Sequence, residues 1–421
     1  MMQKRTDATI KKNGIEQKRC CPVASRCGGC QWIGREYQEQ LKAKETRFRK
    51  LMEFYCKPEA MIGMEKPEHY RNKVHAAFGE DRKHNIISGI YEEKSHRIVP
   101  VDGCLIEDRK ADDIIVSIRG LLKSFKIRPY NEDTGYGLLR HVMIRTGHAT
   151  GQIMVVLVIA SPVMPSKNNF VKALLKLHPE ITTIVVNINE RNTSMVLGEK
   201  EQVIYGRGYI EDELCGRTFR ISSKSFYQVN PVQAEMLYRK ALDYAGLTGK
   251  ETVVDAYCGT GTIGMVAADR AGKVIGVELN PDAVKDARSN AKRNGVKNIE
   301  FYRNDAGKFL MQMAEQGMRA DVILTDPPRS GSSEEFLNAV AKVSPGRVVY
   351  VSCNPDTLVR DVKYLKKKGY AVQKCVAVDM FPFTEETECI ALLVRGAQEA
   401  EGERKRGQFN GNGQKKKHTG K

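Results

Sequence analysis

Thr252-Val-Val-Asp-Ala-Tyr-Cys-Gly-Thr-Gly-Thr-Ile-Gly264 decides the fold. The apolar run Thr252 to Ala256 predicts a strand. Glycines at 259, 261 and 264 allow a tight turn, a close approach of backbone to ligand, and the start of a helix. Downstream the pattern alternates. A helix is expected over 262–271, a strand over 274–278 and a helix over 281–294, with Pro281 near its first turn. Strands follow over 321–325 and 347–352, then a helix over 358–368 and a last strand over 390–394. Such alternation predicts a doubly wound, Rossmann-like α/β sheet.

The same turn carries the cofactor signal. Gly259-x-Gly261-x-x-Gly264 formally fits a dinucleotide fingerprint, so an ordinary Rossmann fold binding NAD is one reading. Glu278, at the end of the second strand, can take both ribose hydroxyls. Asp305, near the end of the third, lies where an adenine edge would sit. An acid after each of the first three strands resembles the pattern of class I S-adenosylmethionine (SAM) methyltransferases.

Two motifs then face the expected crevice at the carboxyl ends of the strands. Asp326-Pro-Pro-Arg329 is similar to the Asp-Pro-Pro-Tyr turn with which amino-methyltransferases hold an exocyclic amine. Arg329 in place of the aromatic suits a carbonyl-bearing base. Ser352-Cys-Asn-Pro355 puts a thiol at the next strand end. Carbon 5 of uracil is a poor nucleophile. A thiolate adding to carbon 6 makes carbon 5 enolate-like, and a base must then remove the carbon 5 proton. Glu388 is the expected base, with Glu385 and Glu386 as competitors. Cys258 competes with Cys353 as nucleophile, but its place in the cofactor turn suits packing.

Ahead of this domain the chain reads differently. Residues 1–19 form a basic leader without an apolar core, so no signal peptide is expected. A helix is expected over 34–55. Short β-like runs follow at 74–78, 87–91, 138–145, 152–160 and 181–189, with a hairpin turn at His148 to Gly151. Residues 20–215 are therefore assigned to a cysteine-bearing, β-rich central domain, 216–396 to the methyltransferase domain, and 397–421 to a disordered basic tail. No apolar run approaches the roughly 18 residues that span a bilayer. A cytoplasmic, membrane-free protein is expected. Its eleven cysteines are then better read as metal ligands, nucleophiles or core fillers than as disulfides.

Cys21-x5-Cys27-x2-Cys30, with Cys104 downstream, supplies four thiolates. Spacing alone leaves zinc and iron–sulfur open. The formal charge of +17 favours a polyanion, most often nucleic acid. Arg71, Lys73, Arg97, Arg140 and Arg145 are candidates for phosphate contact in the central domain, and Arg404-Lys-Arg406 and Lys415-Lys-Lys417 in the tail.

Taken together, Gln228-Val-Asn230, the glycine turn, Asp326-Pro-Pro-Arg329, Ser352-Cys-Asn-Pro355 and Glu388 before Leu392-Leu393 resemble the RNA (uracil-5-)-methyltransferase family over about residues 20–395. The resemblance implies that Gln228, Tyr257, Glu278, Asp305 and Asp326 contact SAM or the base. It implies Cys353 as nucleophile, Glu388 as proton acceptor, and a 4Fe–4S cluster on Cys21, Cys27, Cys30 and Cys104. Cys20 could exchange with Cys21 in that set. This cysteine pattern is typical of the 23S ribosomal RNA branch, so that RNA is the expected substrate, taken by a monomer. The transfer RNA T-loop uridine is the nearest alternative. A catalytically silent RNA-binding or iron–sulfur protein is another. A cytosine-5 methyltransferase would carry a Pro-Cys nucleophile, which is absent. The family often has an extra N-terminal β-barrel, for which residues 1–20 leave no room. It also often has His where Phe383 and Glu386 stand here.

Overall fold

The computed structural model describes residues 11–12, 15–16, 21–92, 95–191 and 195–396. Most of the leader, Cys20 and the whole tail, including both runs of basic residues there, lie outside the described residues.

Two seven-stranded sheets organise the chain. In the catalytic sheet the spatial order is Ile299–Arg303, Lys273–Glu278, Thr252–Ala256, Val322–Thr325, Arg347–Ser352, Glu388–Arg395, Tyr370–Val378. The first five strands run parallel. Glu388–Arg395 is inserted antiparallel between Arg347–Ser352 and Tyr370–Val378. Strand order reverses on either side of Thr252–Ala256, and that switch point opens a crevice above the carboxyl ends. Helices Thr262–Ala267, Pro281–Arg293, Ala306–Glu315, Glu334–Val343 and Pro355–Lys367 connect the strands. One expected helix is shorter and one strand was not expected. The helix from Thr262 stops at Ala267, because Asn298 Nδ2 donates to the carbonyls of Ala268 and Ala271, 2.9 Å each, and turns the chain out of the helix. Tyr370–Val378 was not expected as a strand, because a bulge at Val372/Lys374 breaks its alternation.

The central sheet is ordered Ile98–Pro100, Ile86–Tyr91, Lys73–Glu80, Leu139–Thr146, Ile153–Ile159, Ile181–Ile188, Lys200–Tyr205. All pairs are antiparallel except Ile153–Ile159 with Ile181–Ile188, which the helix Lys167–Leu177 connects. One face packs Val74, Val155 and Leu157 against that helix and the helix Arg109–Leu122. The other packs Met143, Met154, Val156 and Val158 against the helix Pro231–Ala245 and the hairpin Ile210–Leu214 with Arg217–Ile221. A strand covered on both faces is apolar throughout, which accounts for Ile-Met-Val-Val-Leu-Val-Ile at 153–159, buried at all positions.

The helix Tyr37–Met52, which lies within residues 20–215, packs on the catalytic sheet. Its Phe48 and Met52 pack into the core of the catalytic sheet, beside Ile323 and Tyr350. The chain after it covers the exposed edge of Tyr370–Val378. Glu59 N donates to Cys375 O, and Ile62 N to Ala377 O, each at 2.9 Å. This helix also buries Lys44, 2 % exposed. The ammonium donates to Asp379 Oδ1 at 2.6 Å, Glu386 O at 2.8 Å and Phe381 O at 3.1 Å. All three of its protons are thus used. Among the described residues no helix is long and apolar enough to cross a membrane.

Lys44→Met keeps the stem and removes the ammonium, leaving Asp379 charged and buried. The expected loss is about 3–5 kcal/mol of stability, read as a lower urea midpoint at unchanged slope. Combining it with Asp379→Asn should recover part of that loss. An unchanged midpoint for Lys44→Met would show the pair to be unimportant.

Candidate active site

The cofactor turn is shaped by contacts that only glycine permits. Gly261 has φ +81°, and a Cβ there would lie 2.7 Å from the Phe301 ring. At Gly264 a Cβ would lie 2.7 Å from Asp255 Oδ2. Asp255, buried, instead accepts from Gly264 N at 2.8 Å. Its role is to hold the turn, and burial pushes its carboxyl up to about 7. Tyr257, at φ +63°, is a non-glycine residue in the left-handed region, held against Phe336 with ring centroids 5.1 Å apart. Such backbone strain concentrates at binding sites.

Glu278 accepts from Gly259 N at 3.0 Å and Asn280 N at 2.8 Å, one bond on each oxygen. Each oxygen keeps a lone pair for a ligand hydroxyl. Asp305 caps the helix Ala306–Glu315 by accepting from Lys308 N at 3.0 Å.

Gln228, Tyr257, Glu278, Asp305, Asp326, Cys353 and Glu388 all line one cavity of about 1120 Å³. The structure therefore brings together every catalytic and cofactor residue expected from the sequence. Cys258 is excluded as nucleophile: it is buried in the core beside Gly276 and Phe301. Cys353 sits between the strand Arg347–Ser352 and the helix Pro355–Lys367. Asn354 caps that helix by accepting from Asp356 N at 3.0 Å, and its Nδ2 donates to Arg329 O at 3.3 Å. The two motifs are thereby held together.

The electrostatics are dominated by burial. Glu388, 5 % exposed, is pushed up to about 8 by desolvation, then by Asp326 and Glu386. Burial alone raises Asp326 to about 6. Burial, Glu388 and Asp326 push the Cys353 thiol up to about 11, against the pull of Arg329. Arg329 is ion-paired to Glu386 at 2.6 Å across the mouth of the cavity. Sequence reasoning weighed Glu386 only as a base. It also missed Tyr238, which is buried next to Gln228 and within electrostatic reach of Asp326 and Glu388. No motif marks Tyr238, which reads as an ordinary apolar-face residue of its helix.

The phosphate candidates divide. Arg71 lines the cavity and Arg97 is exposed, though paired with Glu92. Lys73 is partly buried, and desolvation lowers its ammonium to about 8. Arg140 and Arg145 are corrections. Arg140 is buried on Glu132 and the carbonyls of Asn189 and Arg191, and Arg145 on the carbonyls of Ser223 and Ser225. Both tie strands to loops and present nothing to a phosphate.

Cys21, Cys27, Cys30 and Cys104 line a second, smaller cavity with His75, Glu107 and Asp112. None is in a disulfide. Burial pushes Cys30 up to about 11 and Cys104 to about 12, and Cys30 feels both Cys27 and Cys21. Clustered, half-buried thiols of this kind are stabilised when metal replaces their protons. Among the described residues no group of three or more His, Cys, Asp and Glu stands ready to hold a metal ion.

Glu388 gives a pH-dependent stability. Its folded pKa of about 8 lies above the unfolded value of about 4.3. The proton is bound more tightly in the folded state, so its contribution is complete below about pH 4 and is lost as pH rises through about 8. Glu388→Gln cannot ionise. Its Tm should match the parent's near pH 4 and exceed it by a few degrees near pH 9. A Tm difference independent of pH would refute the buried-acid assignment.

Comparison with known proteins gives this geometry a family. The model of tRNA (uracil-5-)-methyltransferases matches residues 36–396. An uncharacterized RNA methyltransferase of Halalkalibacterium halodurans is 43% identical over 378 residues, 89% of this chain and 82% of the relative. Another from Clostridium acetobutylicum is 43% identical over 393 residues, covering 92% and 85%. The crystal structure of Pyrococcus abyssi tRNA (uracil-54, C5)-methyltransferase with S-adenosyl-L-homocysteine superposes with a TM-score of 0.71 at 28% identity, covering 85% of this chain and 84% of that one. With the SAM-methyltransferase strand order and the assembled cavity, these matches establish that the chain belongs to the tRNA (uracil-5-)-methyltransferase family of SAM-dependent enzymes.

Proposed function

We propose that this enzyme methylates carbon 5 of a uridine in 23S ribosomal RNA through a covalent adduct on Cys353. The observation that carries the reading is the shared cavity, which gathers a thiol, the buried Glu388, the partly buried Asp326 and the ribose-side acids around one space. Glu278 and Asp305 bind the nucleoside end of SAM, Tyr257 packs on it, and Gln228 and Asp326 orient the base. Bound SAM supplies a methyl on a sulfonium cation, whose charge also favours the Cys353 thiolate. Cys353 sulfur bonds to carbon 6, and the electron pair moves toward the carbon 4 oxygen, which Arg329 can face once it leaves Glu386. Carbon 5 takes the methyl as the sulfonium becomes a thioether. The Glu388 carboxylate removes the carbon 5 proton, the carbon 6–sulfur bond breaks, and the thiolate leaves. At neutral pH the free protein keeps Glu388 and Cys353 protonated, and both protons pass to solvent as the cationic donor enters, before sulfur adds to carbon 6 and Glu388 acts as base. The reaction therefore awaits the loaded cavity, which protects the thiol from adventitious chemistry.

A target base reaches Cys353 only when unpaired or flipped from its stack. Arg71 and Lys224 at the cavity lining supply cations for the flanking phosphates. The cysteine set supports the ribosomal reading. The likeness to a transfer RNA enzyme keeps the T-loop uridine as the alternative. The enzyme works in the cytoplasm, where either RNA is available.

Labelled SAM should transfer methyl to 23S ribosomal RNA and not to transfer RNA. Labelling of transfer RNA alone would overturn the ribosomal assignment. Cys353→Ala should abolish turnover with SAM affinity unchanged, whereas Glu388→Gln should accumulate a protein–RNA adduct. RNA carrying 5-fluorouridine should trap the parent enzyme, since fluorine cannot leave as a proton. An adduct that persists with Cys353→Ala would remove Cys353 from the mechanism.

The second cavity is assigned a 4Fe–4S cluster on Cys21, Cys27, Cys30 and Cys104. Anaerobically purified protein should be brown, with about four iron and four sulfide per chain. Cys27→Ala or Cys104→Ala should lose colour and soluble yield together. Colourless parent protein with one zinc would contradict the cluster.

A further inference from the structure

Eight of the ten described cysteines have a place. Four line the second cavity and Cys353 lines the first. Cys258 and Cys389 are buried, and Cys215 is half-buried beside Glu235. Cys56 and Cys375 belong to neither cavity, yet their sulfurs lie 3.0 Å apart. That is about 1 Å beyond a formed disulfide. We propose that Cys56 and Cys375 are a modification site: a reversible disulfide that forms under hydroperoxide and staples the N-terminal segment to the catalytic sheet.

Both backbones are already fixed. Cys56 N donates to Met52 O at 3.1 Å, at the end of the helix that carries Lys44. Cys375 lies in the strand Tyr370–Val378, and its carbonyl accepts from Glu59 N at 2.9 Å. Closing the bond needs a small side-chain movement, with the strand pairing kept. The two thiols differ in access. Cys56 is half-buried and Cys375 is 0 % exposed. The hydrogen bond from Cys375 lowers Cys56 and raises Cys375 itself. Cys56 is therefore the thiol that meets an oxidant first, and Cys375 the one that resolves it.

The chemistry balances with a hydroperoxide as oxidant. The Cys56 thiolate attacks the O–O bond and becomes a sulfenic acid, and the displaced oxygen leaves as hydroxide or alkoxide and takes a proton. Cys375 sulfur then attacks Cys56 sulfur and expels hydroxide, which takes the Cys375 proton as water. The two thiols give two electrons to one peroxide. A thiol reductant reverses the bond. The product joins residues 319 positions apart. It links the end of the helix bearing Lys44 to the strand that runs into Asp379, so it holds both sides of the buried ion pair.

The test uses full-length protein with its cofactors. After brief exposure to equimolar hydrogen peroxide, free thiols are alkylated and the digest is mapped without reduction. A Cys56–Cys375 crosslinked peptide is expected, with a rise in Tm of about 5 °C that dithiothreitol reverses. Cys56→Ser and Cys375→Ser should each fold and lack both the crosslink and the shift. Sulfinic acid at an unpaired Cys56, crosslinks only to other cysteines, or no reaction at either thiol would each overturn the proposal. So would a parent Tm that rises equally in both serine variants.

Discussion

Lys44 and Asp379 form the contact on which the active site depends. The loop from Asp379 to Glu388 must carry a carboxylate to the thiol, yet it contains little regular structure of its own. Lys44 grips it at three oxygens. Tyr37 donates to the other Asp379 oxygen at 2.8 Å. Gln233 and Asn230 donate to the carbonyls of Asp379 and Met380, and Tyr70 to that of Pro382. Every partner is fixed in a helix or packed against one. A desolvated charge pair is no cheap source of stability, because removing two ions from water offsets most of their attraction. Its value here is geometric: the loop has one low-energy arrangement, and Glu388 is delivered to one place.

The same buried environment sets the chemistry. Three acids sit near one another at the strand ends, Asp255 and Glu388 buried and Asp326 partly so. They cannot all ionise, and Asp255, Asp326 and Glu388 are each pushed toward neutrality. Cys353 is held as a thiol by the same field. A cation entering the cavity reverses that field. On the proposed mechanism, binding of the methyl donor and activation of the Cys353 thiol are then one event.

The cysteine turn joins the central sheet to this loop. Trp32 N donates to Phe383 O at 3.0 Å, and Phe383 N to Gln40 Oε1 at 2.9 Å. Phe381, Phe383 and Tyr70 pack around Cys30 and Cys104. Gly29 and Gln31, either side of Cys30, line the larger cavity while Cys27 and Cys30 line the smaller. The two cavities thus share a wall, and the wall is the N-terminal segment.

Sequence alone determined what is local in the chain. Thr252–Ala256 and Arg347–Ser352 are short apolar runs ended by glycine or a helix cap, so their spans could be read directly. Cys353, Asp326 and Glu278 follow strand ends, and parallel topology sends all strand ends to one crevice. That is why Glu278, Asp326 and Cys353, up to 75 positions apart, could be assigned to one site. Elements whose signal is not local escaped. The strand Tyr370–Val378 hides behind its bulge, and the helices Arg109–Leu122 and Lys167–Leu177 sit among β-rich segments. Arg140 and Arg145 read as phosphate ligands because charge in sequence carries no information on burial. Only tertiary structure could place them inside, where carbonyls from distant loops replace water around each guanidinium. Likewise Lys44 looks like any solvated helix lysine until Asp379, 335 residues away, is brought to it. Desolvation depends on what the rest of the chain packs over a group, so it was decided by the fold alone.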